Sequence, residues 1–128
     1  MLWTRIGLEP CEPHPRRGAL WYVYDLSLPL ISDGRIAFAQ LLKDPDEAKV
    51  TRFDTGGQRL EGRIRTIEGQ WSMVWNSKPP ACPTVVRFFA RRYLKGDHVA
   101  LRPGNSVMSV YKVCDMDRAQ QLIEQFAG

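Results

Sequence analysis

The residues best suited to chemistry lie between Thr84 and Gly104, TVVRFFARRYLKGDHVALRPG, where Arg87, Arg91, Arg92, Lys95 and Arg102 are interleaved with Phe88, Phe89 and Tyr93. A guanidinium donates two parallel hydrogen bonds to a phosphate and stacks on bases. Each phosphate neutralised also releases condensed counterion, the main source of non-specific nucleic-acid affinity. An aromatic ring such as Tyr93, or an exposed Phe88 or Phe89, adds a stacking platform for single-stranded bases. The five cations face only Asp97, so this segment carries an excess equal to the +4 of the whole chain. The candidate binding set is therefore Arg87, Arg91, Arg92, Lys95 and Tyr93, with Arg63, Arg65 and Arg102 as outlying members. The competing reading is a solvated face that balances the chain's 14 carboxylates.

Other constellations are thinner. Cys11 and His14, in CEPH, have the spacing of half a zinc site, with Cys82 and Cys114 left to complete it. Tetrahedral zinc normally draws on two tight pairs, and a second pair is missing here, so no metal is assigned. A nucleophile would need a histidine and an orienting acid beside it. The two histidines are His14 and His98, and His98 alternates with Val99 so as to point outward. Lys43 to Glu47, KDPDE, reads as a polar turn, and Phe53 to Gln58, FDTGGQ, as a loop without the helix that a phosphate cradle requires. No catalytic or cofactor-binding motif stands out. Trp3, Trp21, Trp71 and Trp75 are costly to leave in water; on an open face they would mark a protein-docking module, and on a closed one they are core.

The elements that would position these groups are mostly strands. LWTRIGL reads as a short strand, followed by a proline-punctuated loop from Glu9 to Gly18. ALWYVYDLSL is a strand whose regular pairing is expected to end at Pro29. Ser32 to Gly34 turns the chain into a short helix that Asp33 would cap and that ends before Pro45. RLEGRIRTI and QWSMVW, around Glu68-Gly69, form a hairpin over 58–75 with Leu60, Gly62 and Ile64 on one face and Glu61, Arg63 and Arg65 on the other. For 84–94 the aromatic and β-branched content favours a strand, with Val86, Phe88 and Ala90 inward opposite Arg87, Phe89 and Arg91. Thr84 and Gly96 as caps favour a helix, on which Arg87, Arg91 and Lys95 form one stripe; the helix is the reading taken. A second hairpin spans 93–113, with its return arm beginning at Val107. The stripe Met116, Ala119, Leu122, Ile123 and Phe126, capped by Asp115 or Asp117, marks a C-terminal helix over 115–127 that packs on the sheet.

Within 93–113, Gly96, Asp97, Val99, Leu101, Arg102, Gly104, Met108, Ser109, Val110 and Val113 follow a pattern of aromatic-x-x-Gly-Asp-x-Val-x-Leu-basic-x-Gly, then Met-Ser-Val and a later Val. This stretch, about a sixth of the chain, resembles the opening strands of YodC-like small bacterial proteins, and similar openings start many SH3-like barrels. Asn105 departs from that pattern, in which a second glycine is usual, as does the acidic helix where further strands would follow. The resemblance implies a small curled β-sheet.

At 128 residues, with 44% hydrophobic and 25% charged side chains, the chain has the makings of one folded domain with a single core. Three cysteines without a C-x-x-C arrangement, and an N-terminus without a cationic start and apolar run, lead to an expectation of reduced thiols and a cytoplasmic setting. No apolar run reaches the roughly 20 residues needed to cross a bilayer. The expected fold is α+β: a bent antiparallel sheet or partial SH3-like barrel with the C-terminal amphipathic helix packed on it. The expected function is that of a non-enzymatic binding protein, of bacterial or mobile-element type, that contacts nucleic acid through the basic stripe. The alternative is a protein–protein adaptor or inhibitor docking a cationic, aromatic-bearing face on an acidic partner.

Overall fold

In the computed structural model, residues 1–11, 22–77, 85–104 and 107–127 are described. The chain forms strands β1 (Leu2–Pro10), β2 (Tyr22–Leu30), β3 (Lys49–Asp54), β4 (Arg59–Ile67), β5 (Gln70–Trp75), β6 (Val85–Phe89), β7 (His98–Pro103) and β8 (Ser109–Cys114). Helix α1 (Phe38–Lys43) and a 3-10 turn (Pro45–Glu47) join β2 to β3, and helix α2 (Met116–Ala127) ends the chain. Each strand pairs antiparallel with its sequence neighbours, and β1 pairs with β8, so the sheet closes as an eight-stranded barrel. Closure removes the sheet edges that an open, bent sheet would have to protect. The small antiparallel barrel expected from sequence is present, and its wall is complete.

Period-two alternation sorts the side chains. Leu8, Leu26, Leu28, Val50, Ile64, Met73, Val86, Phe88, Val99, Leu101 and Val113 are fully buried and fill the interior. Trp71, Met73 and Trp75, spaced by two on β5, join them inside, so the tryptophan face is core. The hairpin of β4 and β5 matches the expectation: Glu68 and Gly69 both have positive φ (52° and 76°), the mirror-image turn that suits strand twist. Opposite Trp75 stands Gly62, where a Cβ would lie 2.7 Å from Trp75 Cε3 and 2.5 Å from the Val74 carbonyl oxygen. The missing side chain is what admits the indole.

Outside the barrel, α2 lies against β1 and β2, with Ala119 and Leu122 buried on Val23 and Cys114. Gly7 permits that approach; a Cβ there would stand 2.7 Å from both Ala119 Cβ and Cys114 Sγ. The Asp115 carboxylate caps the helix by accepting the Arg118 backbone N–H at 2.8 Å.

Several expectations are corrected. The segment expected as a middle helix contains strand β6, because Val86, Phe88 and their neighbours are claimed by pairing with β5 on one side and β7 on the other. Burying alternate residues between two partner strands outweighs the helix caps. Gly96 closes no helix; its φ of 93° belongs to a turn, and its N–H donates to the Val113 carbonyl at 2.9 Å. Pro29 does not end pairing but faces Trp3 in the β1–β2 ladder. It is tolerated because β3 engages β2 only as far as Leu26; beyond that the other side carries only the Leu30–Ile36 bridge, where Pro29 contributes its carbonyl, accepting the Ala37 N–H at 2.7 Å. Glu9 and Pro10 belong to β1, not to a loop, and Val107 precedes β8. Asp33 does not cap α1, whose N-cap, Ala37, makes no side-chain bond; the Asp33 carboxylate accepts the Arg35 backbone N–H at 3.1 Å. Strand β3 was not anticipated at all. Thr84, Asn105, His14, Trp21 and Cys82 lie outside the described residues.

Candidate nucleic-acid interface

With β6 as a strand, Arg87 and Phe89 point outward while Val86 and Phe88 point in. Arg87 is held in register between Ser72 of β5 and Arg102 of β7, and Ser72 in turn faces Arg65 of β4. Arg65, Ser72, Arg87 and Arg102 therefore form one transverse row across four strands on the outer wall. Neighbouring strands lie about 4.8 Å apart, which puts Arg87 and Arg102 side by side. Outward positions of β4 to β7 carry Arg59, Arg63, Arg65, Arg87 and Arg102 against a single carboxylate, Glu61.

Partners of these arginines differ. Arg87 reaches Glu68 at 3.5 Å, and Arg102 has no carboxylate within 4 Å among the described residues. Arg63 and Arg65 are committed to the 3-10 turn: Arg63 donates to the Asp46 carbonyl at 3.0 Å, and Arg65 to the Pro45 carbonyl at 2.8 Å. Arg65 also reaches the Asp46 carboxylate at 3.3 Å. The KDPDE segment is thus a brace between the β2–β3 connection and β4, and each of the two arginines keeps about a third of its side chain exposed.

Beyond β6 the chain turns across one end of the barrel. Arg91 and Arg92 are exposed there and, with Asp33 and Arg35, line an open hollow of about 540 Å³. Arg35 pairs with Asp33 at 2.6 Å and Arg92 with Asp97 at 3.5 Å. The Arg35 backbone N–H, with its guanidinium beside it, holds the Asp33 carboxyl below the usual carboxylate range.

Two members of the sequence-derived set do not fit. Tyr93 is 2% exposed, its ring edge-on to Phe88 at 6.2 Å and its hydroxyl without a partner, so it cannot stack on a base. Burial pushes that phenol well up. Lys95, in the β6–β7 connection, lies against the start of α2, bonded to the Asp115 carboxylate at 3.0 Å, which raises the ammonium; the Arg118 backbone N–H, with Lys95 beside it, lowers the carboxyl. The stripe of Arg87, Arg91 and Lys95 does not exist as one surface, because a strand sends its residues every second position and Lys95 lies past a turn.

Comparison with protein-family models, with curated proteins and with solved structures gives no match. The candidate interface therefore rests on its own geometry. Among the described residues, no three His, Cys, Asp or Glu side chains gather as metal ligands, and no helix is long and apolar enough to cross a membrane. His98 is exposed at the start of β7, as its alternation implied.

Sequence reasoning missed Arg35, which sits in the loop after β2, and Arg52, which points into the barrel from β3. KVTRFD has no apolar alternation, since Val50 and Phe53 lie three apart on opposite faces, so only its β-branched and aromatic content hinted at β3. Nothing in that pattern would have turned an arginine inward.

Proposed function

We propose that the chain is a non-enzymatic binding protein that contacts nucleic acid through the outer wall of β4 to β7. The observation that carries this reading is the row Arg65–Ser72–Arg87–Arg102. Like charges directly opposite in a sheet are destabilising, and the pair Arg87–Arg102 is held with one largely exposed glutamate, Glu68, for two guanidiniums. A phosphate between them offsets that repulsion and takes both forks.

Phe89 supplies the stacking role first assigned to Tyr93. It points outward on β6, half-buried, opposite the small Ala100, with Arg87 on one side along the strand and Arg91 on the other. An aromatic flanked by arginines on a sheet face suits single-stranded bases held without sequence readout. Helix α2 packs on β1, β2 and β3; on the β4 side the 3-10 turn is braced by Arg63 and Arg65, and Ser72 is buried, so the exposed part of the row is its guanidiniums. The arginines of the end hollow extend the cationic surface past the end of β6.

The test is binding of short fluorescent single- and double-stranded oligonucleotides across a salt series. Arg87→Ala and Arg102→Ala should each shallow the salt slope by roughly one unit, and Phe89→Ala should weaken single strands more than duplex. Failure to bind any bare oligonucleotide at low salt sinks this reading. The same wall would then be examined as a dock for an acidic protein.

A further inference from the structure

The barrel closes through β8, and β8 is the shorter partner at that seam. It pairs with β1 from Tyr111, opposite Pro10, to Cys114, opposite Gly7, and there the chain leaves the sheet for α2. β1 extends past this point as far as Leu2, with β2 along its other side. Among the described residues, no strand lies beside Leu2 to Ile6 on the side that β8 vacates.

The ladder fixes where the backbone groups of this stretch point. Opposed residues of an antiparallel pair alternate between exchanging both hydrogen bonds and turning them away. The Cys11 N–H donates to the Val110 carbonyl at 3.2 Å, which puts Cys11, Glu9 and Gly7 in the set bonded to β8. Arg5 and Trp3 are the next two of that set. Their N–H and C=O groups therefore face the vacated side, where no backbone partner meets them among the described residues. Two donors and two acceptors stand at strand spacing on an open edge, which is the template for strand addition.

A cavity of about 420 Å³ lies along the same edge. It is lined by Thr4 and Ile6 of β1, Leu30 and Ile31 where β2 ends, Leu94 of the β6–β7 connection and Val113 of β8. Leu2 and Leu94 border it while 74% and 40% exposed, apolar area that a guest would take out of water. Tyr93 also lines the cavity, and its buried hydroxyl has no partner. Leaving such a group unpaired is destabilising, and a carbonyl brought in by a guest can accept from it. The rim carries no spare charge, because Arg5 pairs with Asp25 at 2.6 Å and Lys95 with Asp115 at 3.0 Å.

Edge and cavity together select the guest. A lipid chain or a small apolar molecule would fill the cavity and leave the four backbone groups of Trp3 and Arg5 unmet, whereas an extended peptide meets both. Strand alternation sends every second side chain of such a peptide into the cavity and the others outward beside Trp3 and Arg5. With the rim charges already paired, the guest needs none of its own. We propose that an uncharged, extended segment of a partner polypeptide, apolar at alternate positions, adds as a strand to β1 along Leu2 to Ile6, in line with the end of β8.

The experiment titrates the ¹⁵N-labelled full chain with the peptide acetyl-TLTVT-amide and follows the backbone amides of Trp3 and Arg5. Both resonances should move saturably, and their hydrogen exchange should slow. The same peptide N-methylated at its threonines keeps every side chain but loses the N–H groups that face β1, and should bind at least about tenfold more weakly. Arg5→Pro deletes one outward N–H and leaves the β2 ladder intact, because Arg5 turns its backbone groups away from β2; it should weaken the peptide by about tenfold. Arg5→Ala keeps that N–H and should bind within about twofold of wild type. If Arg5→Pro does not fold, the N-methylated peptide against wild type decides. Trp3 and Arg5 amides unmoved at millimolar peptide, or equal binding of the two peptides, overturns the proposal. Amides already protected from exchange without peptide also overturn it, assigning the edge to a second copy if the protein sediments as a dimer and to the chain's own residues if it is a monomer. Oligonucleotide binding on the wall of β4 to β7 is independent of all these outcomes.

Discussion

Arg87 and Arg102 stand directly opposite each other on the outer face of β6 and β7, two guanidiniums in adjacent strands where an ion pair would be more stable. Arg102→Glu turns repulsion into attraction and should stabilise the barrel by about 0.2–1 kcal/mol. The same change should reduce oligonucleotide affinity at low salt. Urea denaturation and a binding titration on one variant separate the two effects. A protein made less stable by Arg102→Glu would mean that Arg102 serves the fold and not a polyanion.

Gly62→Ala should be costly although alanine is small. The added Cβ is 2.5 Å from a backbone carbonyl and 2.7 Å from the Trp75 ring, and neither moves without disturbing the β4–β5 ladder. Overpacking of this kind costs about 1–3 kcal/mol. Near-ultraviolet circular dichroism should change with it, because the displaced chromophore is Trp75. Unaltered stability would mean that the indole is not seated on Gly62.

The thiols should differ sharply. Cys11 is exposed and Cys114 is buried under α2, where burial pushes its pKa up to about 11. Thiolate is the reactive form, so alkylation at pH 8 read by peptide mapping should modify Cys11 quickly and Cys114 only on unfolding. The raised value also bears on stability. A thiol held neutral in the folded state contributes fully below the ordinary pKa of 9.0, and that contribution is lost as pH rises through about 11. Melting temperature should therefore fall between these values, and Cys114→Ala should reduce the fall.

Much of the fold was legible because alternation is a local signal. Leu60, Gly62 and Ile64 against Glu61, Arg63 and Arg65 established a strand with one wet face, and Met116, Ala119 and Leu122 established α2. The segment 84–94 was ambiguous because its strand exists only through partners on β5 and β7, which no local window contains. The site suffered in the same way. Arg87, Arg65 and Arg102 come together through register across four strands, whereas the sequence joined Arg87 to Arg91 and Lys95 by helical spacing. Tyr93 looked available for stacking because nothing local reveals that the turn after β6 folds it back on Phe88.

Tyr93→Phe and Phe89→Ala distinguish the buried aromatic from the outward one. The Tyr93 hydroxyl is buried and makes no hydrogen bond, so its removal relieves a desolvation penalty. Stability should be unchanged or raised by up to about 1 kcal/mol, and oligonucleotide affinity should stay at the wild-type value. Phe89 lies on the wall between Arg87 and Arg91, and its truncation should cost about 1–3 kcal/mol of single-strand affinity for each base it stacks. Chemical denaturation and fluorescence anisotropy on the two variants give the comparison. A loss of binding in Tyr93→Phe with none in Phe89→Ala would move the interface off β6 and return it to the turn that follows.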